Sequence, residues 1–251
     1  MNTVNIKGLI LGSGRPKICI PIVGKTDSEI LSQAEDIKNV SADIVEFRAD
    51  WYENISDIQK TSSLISKIRK VIGSTPLLFT IRTQNEGGKF PSDFSRYAGI
   101  LRNISQNTDV DAIDTEIYIS DTHDVTSLIG TLKETSVVIA SNHDFYKTPD
   151  KDEIVKRLLY MKQCGADICK IAVMPHNAED VLTLLSATNT AVNTIDAPII
   201  TMSMGDIGKV SRICGEIFGS SLTFGCLTKA SAPGQIDVST LSSILDTLHI
   251  N

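Results

Sequence analysis

Hydrophobic and polar residues along the chain fall into short apolar runs bounded by turn residues, at 17–23, 43–49, 77–83, 112–117, 136–142, 167–173, 198–204 and 222–227. Runs of this length with period-two alternation predict β-strands. They recur roughly every thirty residues, the length of one strand-helix-strand repeat. The segments between them switch to a period near 3.6. One places Phe94, Tyr97, Ala98, Leu101 and Ile104 on a single face behind Ser92 as N-cap. Another opens at Thr148-Pro149 and runs through Ile154, Leu158 and Met161.

Strands alternating with helices require parallel pairing and right-handed crossovers. Eight such units in 251 residues predict an α/β fold of the (β/α)8 TIM-barrel type, with residues 1–251 as a single domain. A doubly wound open sheet is the alternative that strand number alone leaves open. Residues 1–16 precede the first unit and read as a short N-terminal β-hairpin, with Lys7-Gly8 turning between Thr3-Val4-Asn5-Ile6 and Leu9-Ile10-Leu11, expected at the bottom of the barrel.

In a barrel each strand faces helices on one side and the interior on the other, so an ionisable residue inside a strand needs a reason. In the second run Ile44, Glu46, Arg48 and Asp50 share one face, and Val45, Phe47 and Ala49 share the other. The apolar set must face helices, which sends Glu46 and Arg48 inward near the strand's C-terminal end, where barrel enzymes build their sites. Arg82 ends the third run, with Glu86-Gly87-Gly88 just beyond. His143 is in phase with Ile139 and Ser141 at the top of the fifth. Lys170 stands alone in the apolar sixth run. A buried ammonium costs several kcal/mol unless paired or neutral, so such a lysine is either held by a carboxylate, with Glu46 or Glu86 the candidates, or used as an amine nucleophile. Cys169 points to the opposite face and reads as packing. Met202, Met204 and Phe224 read as core, residues 228–235 as a loop able to close over a ligand, and Arg212 as an ordinary surface charge on a helix.

Hydrophobic residues make up 41% of the chain and charged residues 22%, ordinary globular usage. A formal net charge of -6 matches a phosphate backbone poorly, so no nucleic-acid partner is expected. No apolar run approaches the roughly 18 residues that span a bilayer, and the stretch at 8–12 is too short for a signal-peptide core. No membrane association is expected, and the cytoplasm is the expected compartment. Five cysteines without a C-x-x-C pair read as reduced thiols. Four scattered histidines and the absence of phosphate-loop or H-E-x-x-H motifs predict no metal site. Gly12-Ser13-Gly14 precedes a strand and reads as a turn.

Taken in order, Glu46-Phe47-Arg48, Arg82 with Glu86-Gly87-Gly88, Ser141-Asn142-His143-Asp144-Phe145, Lys170-Ile171-Ala172-Val173-Met174-Pro175 and Ser231-Ala232-Pro233-Gly234-Gln235 resemble the type I 3-dehydroquinate dehydratases. The resemblance spans essentially the whole chain. It implies a (β/α)8 barrel, usually homodimeric, that converts 3-dehydroquinate to 3-dehydroshikimate in the shikimate pathway with no metal or organic cofactor. It implies Lys170 as Schiff-base nucleophile, His143 as general acid and base, and Glu86 as the carboxylate that orients the imidazole. Arg212 would bind the substrate carboxylate. Glu46, Arg48 and Arg82 would hold ring hydroxyls, Ser231 and Gln235 would close over the site, and Met202, Met204 and Phe224 would wall the ring. Where many relatives end the first strand with a serine, this chain has Pro21. A Schiff-base class I aldolase on the same fold is the alternative, but no phosphate cradle is evident after the last two strands. A barrel that only binds a metabolite should lack the lysine, histidine or arginine, and none is missing.

Overall fold

The computed structural model describes residues 3–227 and 232–250. The chain opens with the expected antiparallel hairpin, β1 (Val4–Ile6) and β2 (Leu9–Leu11). Lys7 and Gly8 both take positive φ, 50° and 90°, as a two-residue turn between right-twisted strands demands. Gly8 N–H donates to Asn5 Oδ1 at 2.6 Å. The hairpin closes the bottom of the barrel, because its Ile6 and Leu11 are buried among lumen residues Cys19, Ile44, Leu78, Ala112, Ile139, Ile168, Ile200 and Leu222.

The eight predicted runs form the barrel staves β3 (Lys17–Ile22), β4 (Ile44–Arg48), β5 (Leu77–Thr80), β6 (Ala112–Glu116), β7 (Val137–Asp144), β8 (Ile168–Val173), β9 (Ile199–Ser203) and β10 (Leu222–Cys226). Neighbouring staves from β3 to β9 pair in parallel, and β10 returns to pair with β3. Register at the bottom is pinned by aspartates placed just before alternate staves. Asp43 accepts from Ile18 N–H at 2.7 Å, Asp111 from Leu77 N–H at 2.8 Å and Asp167 from Val138 N–H at 2.9 Å. The seam between β9 and β10 is narrow, held by Ser221 N–H to Ile199 O at 2.8 Å. Towards the top, a two-residue strand, β11 (Ile236–Asp237), pairs with the free edge of β10.

Outward-facing strand residues, including Val45, Phe47, Phe79 and Cys169, pack beneath the helices as the alternation predicts. The helices are α1 (Asp27–Ile37), α2 (Ile58–Ile72), α3 (Phe94–Asn107), α4 (Thr122–Leu132), α5 (Lys151–Gln163), α6 (Ala178–Thr194), two single turns α7 (Val210–Ile213) and α8 (Gly215–Phe218), and α9 (Val238–Leu248). Two caps differ from expectation. Asp93, not Ser92, caps α3 by accepting from Arg96 N–H at 3.2 Å. At α5 the cap is Asp150, which accepts from Glu153 N–H at 2.9 Å, while the Thr148 hydroxyl donates to Met174 O at 3.1 Å. In both cases a carboxylate satisfies the orphan amide of the first turn. No helix among the described residues is long and apolar enough to cross a membrane.

Candidate active site

Successive lumen positions climb each strand two residues at a time and turn polar towards the C-terminal end. On β4, Ile44 gives way to Glu46 and Arg48; on β6, Ala112 to Asp114 and Glu116; on β7, Ile139 to Ser141 and His143; on β8, Ile168 to Lys170. Arg82 stands just past β5. All but His143 are buried, and its side chain is 12% exposed.

Asp114, fully buried, is the hub of this network. Its Oδ2 lies 3.0 Å from Lys170 Nζ, and its Oδ1 accepts from Arg82 Nη2 at 2.7 Å and from Ser141 Oγ at 2.6 Å. Burial alone would raise its pKa, but Arg82 and Lys170 hold it well below the usual carboxylate range. Arg82 Nη1 reaches Glu116 at 3.1 Å and Ser141 Oγ at 2.9 Å. Arg48 forms a two-bond pair with Asp50 at 2.8 and 3.0 Å, and Glu46 accepts from Thr80 Oγ1 at 2.8 Å. The Lys170 ammonium also sits 4.7 Å from the centroid of the Phe224 ring.

Glu86 is carried over this network by a 3₁₀ turn, residues Gln84–Glu86. The following Gly87-Gly88 makes the fold-back possible, since a Cβ on Gly88 would meet Arg82 O at 2.0 Å. Glu86 Oε2 lies 2.8 Å from His143 Nδ1 and accepts from His143 N–H at 3.0 Å, while Oε1 accepts from Asn142 Nδ2 at 3.1 Å. Burial, then the neighbouring Glu116 charge, pushes the Glu86 pKa up to about 8. Burial, then Arg82 and Lys170, pushes His143 well below its ordinary value. The imidazole is therefore neutral at physiological pH.

Arg212 is 1% exposed and forms no ion pair among the described residues. Its Nη2 donates to Pro233 O at 3.0 Å, its Nη1 lies 3.8 Å from Met202 Sδ, and its Nε has no hydrogen-bond partner. Burial lowers its pKa to about 10. A buried guanidinium without a carboxylate is a site for an anion. Glu46, Arg48, Arg82, Glu86, His143, Lys170, Met202, Met204, Arg212, Phe224, Ala232 and Gln235 all border one cavity of about 50 Å³.

Residues 18–251 match the family model for type I 3-dehydroquinase. The chain belongs to the type I 3-dehydroquinase family. It is 50% identical to the 3-dehydroquinate dehydratase of Bacillus subtilis, covering 100% of this chain and 99% of the relative. Against the corresponding Listeria welshimeri protein it is 48% identical, over 99% of both. The crystal structure of type I 3-dehydroquinate dehydratase from Clostridium difficile with covalently modified comenic acid superimposes with a TM-score of 0.95 at 45% identity, covering 99% of this chain and 98% of that one.

In this type I 3-dehydroquinase the structure brings every candidate site residue except Ser231 to the cavity, and Ser231 lies outside the described residues. Two expectations need correction. Lys170 pairs with Asp114, not with Glu46 or Glu86. Arg212 is no surface charge, because the chain there forms a 3₁₀ turn and two four-residue helices whose inward side chains no long helical period describes. Sequence reasoning also missed Asp114 and Glu116, although period two in the run 112–117 marks them just as it marked Glu46 and Arg48. Thr80 and Asn142 carry no comparable sequence signal.

Proposed function

We propose that the protein dehydrates 3-dehydroquinate to 3-dehydroshikimate through a Schiff base on Lys170, as a homodimer in the cytoplasm, within the shikimate pathway to chorismate. The observation that carries the reading is the Lys170 amine, held by Asp114, in the wall of a buried polar cavity that also holds a neutral His143 and an Arg212 with no ion pair among the described residues. The covalently modified comenic acid in the Clostridium difficile relative supports covalent chemistry in this family.

Binding begins with the substrate carboxylate at Arg212, whose planar fork matches two carboxylate oxygens. Arg48, Arg82 and Glu46 take ring hydroxyls, and Met202, Met204 and Phe224 wall the ring. Lys170 gives a proton to His143 and attacks the C3 ketone with its nitrogen lone pair; after a nitrogen proton passes to the new oxygen, His143 returns its proton to the carbinolamine hydroxyl. Loss of the carbinolamine oxygen as water leaves an iminium, an electron sink that acidifies C2. His143 removes the C2 proton, and the C–H electrons form an enamine. The enamine then expels the C1 hydroxyl, which leaves as water with the proton from His143; one group serving both transfers suits a syn elimination. Water adds to the conjugated iminium, and its collapse releases product and the free amine. Glu86 holds the imidazole in orientation through its 2.8 Å contact with Nδ1. The cavity of about 50 Å³ is far below the roughly 300 Å³ of ordinary ligand sites. Residues 232–235, tied to Arg212 through Pro233, therefore move outward for entry and return to exclude water.

Borohydride reduction in the presence of 3-dehydroquinate, read by intact and peptide mass spectrometry, tests this reading. A reduced adduct on Lys170 is expected; folded protein that forms none overturns it. Light scattering on a sizing column tests the dimer, and a monomer at micromolar concentration refutes that part.

A further inference from the structure

Asn142 lies on the helix-facing side of β7, outside the cavity, and is 7% exposed. Its amide bridges two groups of opposite character. Nδ2 donates to Glu86 Oε1 at 3.1 Å, and Oδ1 accepts from Arg157 Nη1 at 3.1 Å. A carboxylate oxygen can only accept from the amide unless it is protonated, and a guanidinium can only donate. With the amide turned over, its NH2 would face the guanidinium, which can only donate, so a repulsive contact would replace a hydrogen bond whether or not Glu86 is ionised. Arg157 is itself held on α5 by Glu153, at 2.8 Å from its Nε, and faces Asp144 at 3.7 Å. None of Arg157, Glu153 and Asp144 borders the cavity.

We infer that Arg157 is a positioning residue for the reaction proposed above: by fixing the Asn142 amide it fixes the rotamer of Glu86, and through Glu86 the orientation and tautomer of His143. The inference rests on that reading for its kinetic test but not for its spectroscopic one. The charged groups facing Glu86 and His143 are Arg82 from the end of β5, Asp114 and Glu116 from β6, Lys170 from β8 and Arg48 from β4. These remain in place when Arg157 is changed. The Asn142 hydrogen bond favours the ionised form of Glu86, so a released amide moves Glu86 further upward.

The experiment compares wild type with Arg157→Leu, Asn142→Ala and the double variant. R157L is expected to lower kcat about tenfold with KM within twofold, the range typical of residues that support a catalytic group from behind. The pH limb belonging to Glu86 is expected to move to higher pH, and R157K to restore part of both. The double variant is expected to be no slower than N142A alone, because Arg157 acts through Asn142. In parallel, 15N resonances of the His143 imidazole, recorded without substrate, should report a changed tautomer balance in R157L. A merely structural Arg157 would lower Tm and leave the pH profile and the imidazole resonances unmoved, and that result overturns the inference, as do additive losses in the double variant. Should R157L not fold, N142A and R157K carry the same readouts. Failure of wild type to turn over 3-dehydroquinate would refute the proposed reaction, while the imidazole resonances would still decide the role of Arg157.

Discussion

Asp114→Asn removes one charge and no volume from the middle of the barrel, so its effect isolates electrostatics from packing. Asp114 is fully buried and accepts from Lys170, Arg82 and Ser141. Asparagine offers one acceptor oxygen and one NH2, so either Lys170 or Arg82 must face a donor. Arg82 retains Glu116 at 3.1 Å, whereas Lys170 has no other ion pair among the described residues. Breaking a buried pair by removing one partner typically costs about 3–5 kcal/mol. Retained Arg82–Glu116 pairing and the Phe224 ring against Lys170 place D114N near the lower end, about 3 kcal/mol, or a Tm lower by roughly 6–12 °C for a chain of this size. The folded pKa of Asp114 is depressed, so its stabilisation is present above the unfolded value of about 3.9 and is lost as pH falls through the folded value. Urea unfolding followed by circular dichroism should therefore show the full gap between wild type and D114N at pH 6–7 and a shrinking gap below about pH 4. A D114N protein within about 0.5 kcal/mol of wild type at neutral pH would refute the account of Asp114 as the group that makes burial of Lys170 and Arg82 tolerable.

Arg212→Met removes a buried charge that has no carboxylate partner among the described residues, so it should raise stability by about 1 kcal/mol while increasing KM at least a hundredfold; a destabilised variant with unchanged KM would refute the anion-site assignment. The Glu86 pKa is raised, so its contribution is present below the unfolded value of about 4.3 and is lost as pH rises towards about 8. Glu86→Gln should accordingly gain on wild type in urea unfolding steadily between pH 5 and 8, and a pH-independent difference would contradict the raised value. His143→Ala should slow imine formation, elimination and imine hydrolysis together in single-turnover quench experiments; undiminished turnover would remove it from the mechanism.

The candidate site was legible wherever a charged residue interrupted a strand's alternation. Glu46, Arg48 and Lys170 stood out because a strand buried on both faces has no solvated side on which to place a charge. Asp114 and Glu116 obey the same rule, sharing with Ala112 one face of a run whose other face carries Ile113, Thr115 and Ile117. Arg212 differs in kind. The stretch between β9 and β10 is broken into a 3₁₀ turn and two single helical turns, and helical spacing cannot say which way a residue points in elements that short.

By itself the sequence determined the eight strands, the face each residue presents and the closing of the bottom by the hairpin. These depend on local period and on the burial of apolar faces, both of which are written residue by residue. The choice of partners was decided only in the tertiary structure. Asp114 meets Lys170 across an intervening strand, and Arg157 reaches Glu86 through Asn142, because stagger between staves and the path of the loops set distances between residues 56 and 15 apart in sequence. Two carboxylates at equivalent positions on alternate strands, Glu46 on β4 and Asp114 on β6, look alike in the sequence. Which of them neutralises the lysine and which is left to accept from a threonine follows from geometry that no local pattern encodes.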